Sequence, residues 1–152
     1  MTIIIDNLQG PEIAALLNEH LRDMHASSPA ESVHALDLDG LRHSNITFWT
    51  LWEEGQLAGC GALKALNNDE AEIKSMRTAA NFKRRGVAKR LLQHIIEQAK
   101  ARQFQRINLE TGSMAYFHAA RELYKHFGFT ECAPFGDYQE DPHSIFMTMR
   151  LD

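Results

Sequence analysis

A mixed α+β fold is predicted by three features of the sequence. β-Prone runs joined by short turns crowd the first half, strand and helix alternate in the second, and between them Gly86 opens an amphipathic helix. The 152 residues suit a single domain spanning 1–152, and a chain of that length buries about two-thirds of its surface on folding. A hydrophobic content of 44% with 24% charged residues belongs to an ordinary soluble globular protein and leaves no low-complexity tract or linker to set aside.

In chain order, Ile3 to Ile5 reads as a short buried strand, and Asn7 to Pro11 as the turn into a helix that runs to about Met24. Ile13, Leu16, Leu17, Leu21 and Met24 make its apolar stripe, with His20 beside them as a packed or capping histidine. Residues 25 to 45 are polar and broken, and Ser32 to Leu38 is a helical turn or ordered loop placed to wall a substrate site. Phe48 to Trp52 is aromatic and β-prone, Glu54-Gly55 turns the chain, and Leu57 to Leu66 returns as the second arm of a hairpin. Gly59 and Gly61 share one face of that arm, where packing against a helix explains them better than the approach of a ligand. Asn67-Asn68-Asp69 is the next turn, and Glu70 to Arg77 a third strand leading toward Gly86.

Beyond the glycine, Val87, Leu91, Leu92, Ile95, Ile96 and Ala99 form a helical stripe that ends near Arg102. Ile107 and Leu109 alternate with Asn108 and Glu110 as a strand with one buried face, and Thr111-Gly112-Ser113 reads as a loop. Ala120, Leu123, Tyr124 and Phe127 are the apolar side of a short helix capped by Gly128. Phe129 to Cys132 and Ile145 to Met149 close the fold as strands, separated by the loop Pro134 to Tyr138.

The start of a helix leaves backbone N–H groups unpaired, and a glycine there puts no side chain in front of them. Lys83, Arg84, Arg85 and Lys89 add charge at the positive end of the helix dipole, which suits a phosphate or pyrophosphate, although the same residues also suit an ordinary helix start. The spacing is neither GxxxxGK[ST] nor GxGxxG, so neither a P-loop nor a Rossmann fingerprint is supported.

Lys83-Arg84-Arg85-Gly86-Val87-Ala88 resembles the Q/R-x-x-G-x-G/A signature of the GNAT superfamily of acyl-CoA-dependent N-acetyltransferases, with lysine where the family has arginine or glutamine. Ala120-Arg121-Glu122-Leu123-Tyr124-Lys125-His126-Phe127-Gly128-Phe129 is similar to the family's A-x-x-L-Y-x-x-x-G-F stretch. The order of elements resembles that fold over essentially the whole chain. The resemblance implies three layers, with a central, mostly antiparallel twisted sheet of six to seven strands flanked by about four helices. It also implies that acetyl-CoA is the cosubstrate, its pyrophosphate held by the backbone from Arg84 through Lys89 and its pantetheine arm paired with the main chain at Met76 and Thr78.

Carried over in the same way, Tyr124 is the general acid toward the departing thiolate, against its reading as a core tyrosine. Glu72, eleven residues before Lys83, is the general base, against its reading as a strand glutamate that is exposed or paired with Lys74. Burial among Trp49 and Trp52 would push its pKa toward neutrality. Glu110 and His34 are rival bases, and Trp49 and Tyr138 join them as side chains expected at the acceptor amine. A backbone N–H near Met76 is the implied oxyanion donor. The implied reaction is direct acetyl transfer to a primary amine in a ternary complex, because neither Cys60 nor Cys132 lies in a nucleophile context. A non-catalytic acyl-CoA-binding or sensor domain would share the Gly86 cradle without needing Tyr124 or a base.

Twenty acidic against sixteen basic residues make the cluster at 83–90 a local feature and disfavour nucleic-acid binding. The eight histidines form no HxxxH or HExxH pair, so no metal site is expected. The opening residues lack a signal-peptide pattern, and no run approaches transmembrane length, which gives a cytoplasmic expectation without a membrane partner. A homodimer through the late strands stays open.

Overall fold

A computed structural model describes residues 1–152. Its strands are β1 (Thr2–Ile5), β2 (Ile46–Glu53), β3 (Gln56–Ala65), β4 (Glu70–Thr78), β5 (Arg106–Gly112), β6 (Thr130–Cys132) and β7 (Ser144–Arg150). The helices are α1 (Pro11–Ser27), α2 (Leu38–Leu41), α3 (Val87–Ala101) and α4 (His118–Phe127). The seven strands form one sheet in the order β1-β2-β3-β4-β5-β7-β6. β4 and β5 run parallel, and every other neighbouring pair is antiparallel. This is the mostly antiparallel α+β architecture expected from the sequence. No helix is long and apolar enough to cross a membrane.

The sheet separates two apolar clusters. Phe48, Cys60 and Ala62 pack with Ile13, Leu16 and Leu17 of α1 and Leu41 of α2. On the other face Trp49, Leu63, Ala71 and Ile73 pack with Leu91, Leu92 and Ile95 of α3 and Tyr124 of α4. The alternation along β2 and β4 thus assigns each side chain to one helix layer or the other.

The structure corrects the sequence reading in three places. β1 is an edge strand that pairs with β2 alone, and Ile4 and Ile5 are 45% and 69% exposed, so the isoleucine run is not a buried strand. Thr111 and Gly112 continue β5, where they pair with Ile145 and Ser144 of β7, instead of starting a loop. α1 runs one turn beyond Met24, to Ser27.

Gly59 and Gly61 fulfil their packing role against α3. A Cβ on Gly59 would lie 2.7 Å from Val87 Cγ1 and 2.8 Å from the Arg77 carbonyl oxygen, while one on Gly61 would meet Met76 Sδ at 2.6 Å and Ile95 Cδ1 at 2.8 Å. The Arg77 carbonyl belongs to a paired strand and cannot yield, whereas the ends of Met76 and Ile95 can rotate. Gly59→Ala should therefore destabilise the fold by about 1–3 kcal/mol. Gly61→Ala should cost less, and thermal melts of the two variants measure the difference.

Candidate active site

The site is built on an irregularity in β4. Ala62 pairs with Lys74 and Cys60 with Arg77, so two residues of β4, Ser75 and Met76, stand opposite Gly61 alone. Ser75 takes the left-handed φ of 55°, and its carbonyl accepts a bond from Cys60 Sγ at 3.3 Å. Such a bulge reverses the sidedness of the strand beyond it. Met76 accordingly lies under α3, against the position of Gly61, while Arg77 emerges on the α1 side, where its Nη2 bonds Glu19 at 2.7 Å and Asp23 at 2.6 Å.

The parallel pairing of β4 with β5 extends only from Glu70/Arg106 to Ile73/Leu109. Beyond it β4 stays with β3 and β5 stays with β7, so the strands part and leave a gap. That gap runs into a cleft of about 650 Å³ that reaches from the mouth of α3 to the loops above β5. Phe117 rests on the floor of β5, against Gly112, where a Cβ would collide with its ring. Arg121 Nη1 donates to the carbonyls of Gly112 and Met114 and so fixes α4 to the end of β5.

At the mouth of α3, Gly86 is the N-cap with φ 80°, a value that favours glycine, and no side chain caps the helix. The first main-chain bond of the helix runs from Arg90 N to Gly86 O, so the N–H groups of Val87, Ala88 and Lys89 lack a helical acceptor. A Cβ on Gly86 would meet nothing within 4 Å, which leaves the space before these donors open. The donor set fits a diphosphate. Lys83, Arg84, Gly86, Val87, Ala88 and Lys89 all line the cleft, as do Met76 and Thr78 on β4. Arg85 does not, because its guanidinium lies over the Phe82 ring at 5.0 Å.

The cleft also gathers Tyr124, Glu72, Glu110, His34 and Tyr138. Tyr124 stacks edge-on against Phe129 and is 8% exposed; burial first, and then the charge of Glu110, push its phenol up to about 12. Glu72 is 2% exposed, and its Oε2 accepts from Tyr138 Oη at 2.6 Å and from Lys74 Nζ at 3.4 Å. Lys74 Nζ donates as well to Tyr138 Oη at 2.9 Å and to the His34 carbonyl at 3.1 Å. Glu110 is held by one bond, from Ser144 Oγ at 2.8 Å, and its burial raises the carboxyl above the usual carboxylate range despite that bond.

Two remote segments meet over these carboxylates. The His34 ring packs edge-on against Tyr138 at 5.0 Å, and Ser32 Oγ donates to Asp141 Oδ2 at 2.5 Å. Trp49 has no place here. It is 2% exposed on the opposite face of the sheet, between His94 of α3 and the Arg102 guanidinium, and Trp52, whose Nε1 donates to Thr50 Oγ1, does not line the cleft, so neither surrounds Glu72. Sequence reasoning missed Ser75, Lys74, Arg77 and Tyr116 as cleft residues. No local pattern announces a bulge, and the sequence suggests Lys74 only as a partner for Glu72.

The sequence model described as Acetyltransferase (GNAT) family matches residues 13–129. The chain is 58% identical to the N-acetyltransferase YsnE of Bacillus subtilis (strain 168), a protein called uncharacterized, across 99% of this chain and 100% of that protein. It is 49% identical to the likewise uncharacterized N-acetyltransferase YedL of Escherichia coli (strain K12), across 99% and 94%. Among solved structures, an acyl-CoA N-acyltransferase of Klebsiella pneumoniae superposes with a TM-score of 0.84 at 26% identity, covering 99% of this chain and 97% of the other.

His20 of α1 lines the same cleft and is 8% exposed. Burial, aided by the nearby Arg77 charge, lowers its pKa from 6.5 to about 4. The fold thus favours the neutral ring, and its contribution is fully present above pH 6.5. As pH falls from 6.5 to about 4 the unfolded chain takes up a proton that the native protein refuses, and stability on the order of 3 kcal/mol is lost across that window. His20→Phe should flatten the difference in melting temperature between pH 7 and pH 4.5, as calorimetry at the two pH values would record.

Proposed function

The chain belongs to the GNAT acetyltransferase family and is an acetyl-CoA-dependent N-acetyltransferase, and from that premise we propose that it transfers the acetyl group directly to a primary amine, with the coenzyme in the gap between β4 and β5. The observation that carries this reading is the continuity of one cleft from the uncapped mouth of α3, through the parted strands, to Tyr124 and the two glutamates. The backbone from Arg84 through Lys89 receives the pyrophosphate, and Lys83, Arg84 and Lys89 supply charge around it. Arg85, stacked on Phe82, contributes through its main chain. From Lys74 onward β4 has no strand on its β5 side. The main chain at Met76 and Thr78 can therefore pair with the extended pantetheine arm as it would with an added strand.

The acceptor amine enters past His34 and Tyr138 and must arrive without a proton. Each glutamate keeps one oxygen free of protein donors, but Glu72 Oε2 is shared between the Lys74 ammonium and the Tyr138 hydroxyl, while Glu110 accepts a single bond, from Ser144, and has a raised pKa. Glu110 is thus the better base, and Glu72 organises the wall. Tyr124, protonated throughout the neutral range, donates toward the sulfur as the thiolate leaves. Direct attack is favoured over a covalent acyl-enzyme because Cys60 is fully buried and its thiol is pushed up to about 12, while burial raises Cys132 as well.

Acetyl-CoA-dependent thiol release across a panel of amines tests the reaction. With the best acceptor, Tyr124→Phe should lower kcat by about 10²- to 10⁴-fold while acetyl-CoA affinity by calorimetry stays at the parent value. Turnover at the parent rate would return Tyr124 to the core. A base must be ionised to act, so activity should fall as pH drops through the raised pKa of Glu110. Glu110→Gln should remove that acid limb and recover part of its lost rate at high pH, where the amine is already free, whereas Glu72→Gln should keep the limb. The opposite pair of pH profiles would assign the base to Glu72.

A further inference from the structure

Three buried side-chain polar atoms have no hydrogen-bond partner in the protein: His20 Nδ1, Ser75 Oγ and Arg77 Nε. All three residues line the cleft. Native proteins leave few such groups unmatched, so their concentration at one site asks for a ligand or a structural reason. Arg77 has a structural reason, because its guanidinium is already gripped by Glu19 and Asp23. His20 has one too, as a neutral ring packed on the inner side of α1.

Ser75 has neither. The residue is 9% exposed, and although its carbonyl accepts the Cys60 thiol, its hydroxyl bonds nothing. It also holds a left-handed φ of 55°, where glycine would be less strained, so a side chain is kept where the backbone does not favour one. The residue stands where β4 has just left β5, immediately before Met76, whose N–H is the oxyanion donor that the family resemblance implies.

We propose that the Ser75 hydroxyl is a second oxyanion donor, bonding the thioester oxygen beside the main-chain N–H of Met76 as the amine adds. The proposal rests on the reading of the gap as the acetyl-CoA site. The amine lone pair forms the new C–N bond, and the carbonyl π pair moves onto oxygen, where Ser75 donates a hydrogen bond and keeps its proton. Glu110 has taken the ammonium proton before attack, and the proton that nitrogen gives up after addition passes to solvent water. The oxygen pair then returns to carbon, the C–S bond breaks, and sulfur leaves with that bond's electrons toward the Tyr124 hydroxyl. A donor aimed at this oxygen helps most when the charge on it is greatest, so its removal should appear in the rate of chemistry and not in ground-state binding.

The test compares Ser75→Ala with Ser75→Gly. Both remove the hydroxyl, but glycine relaxes the left-handed backbone and alanine does not. Single-turnover acetyl transfer should fall by about 10²-fold or more in both variants. Acetyl-CoA affinity by calorimetry should match the parent in both, and the glycine variant should melt no lower than the alanine variant. Parent-like single-turnover rates in both would overturn the proposal and leave Ser75 as a bulge residue. A parent-like glycine variant beside a slow alanine variant would overturn it too, by tracing the loss to backbone strain. Failure of the parent protein itself to bind acetyl-CoA in the same calorimeter would instead sink the reading of the gap, and this proposal with it.

Discussion

Arg77 reaches Glu19 and Asp23 because β4 carries one residue more than β3 has places for. In a regular β4 the side chain after Met76 would fall on the α3 side, and a guanidinium would be buried among leucines with no carboxylate in reach. The extra residue at Ser75 instead turns the charge toward α1, where two acidic side chains one turn apart receive it. The same irregularity bends β4 away from β5 after four paired residues. Anchoring of α1 and opening of the cleft therefore share a cause. A substitution that straightened β4 would close the cleft and strand a buried charge together.

The two halves of the cleft are made of different material. Around the mouth of α3 the contacts on offer are main-chain donors, fixed by φ angles and indifferent to most side chains, which is why lysine can occupy the first position of the signature without altering the geometry. Around Glu72 and Glu110 the contacts are side chains whose positions depend on one another: Lys74 touches Glu72, Tyr138 and the His34 carbonyl at once. Exchange of one residue at the helix mouth perturbs little beyond local charge. Exchange of one residue in the wall frees two or three others, so the acceptor half is the part of the molecule where small sequence changes have large chemical effect.

The same contrast explains what could be read in advance. Helices and strands followed from apolar periodicity, and the cradle followed from a glycine at fixed spacing, because both are local in sequence. The parting of β4 and β5 could not be read that way, since Lys74-Ser75-Met76-Arg77 looks like uninterrupted strand and the bulge is defined only against Cys60 and Ala62 of its neighbour. Trp49 was expected at the acceptor because alternation shows which residues share a face but not which face holds the site. Its partners turn out to be His94 and Arg102. Glu72 was legible as a candidate, yet the tyrosine that bonds it lies 66 residues away. The isoleucines of β1 misled for a simpler reason: apolar composition does not distinguish a central strand from an edge.

The bond between Ser32 and Asp141 spans 109 residues. During synthesis from the N-terminus, β2, β3, β4 and α3 have all left the ribosome once Ala101 has cleared the exit tunnel, while a third of the polypeptide is still to emerge. The wall over Glu72 cannot yet form, because Tyr138 and Asp141 are among the last residues made. The order of synthesis thus delivers the residues of the phosphate cradle before those that enclose the amine, and the chemistry waits for the final loop to dock.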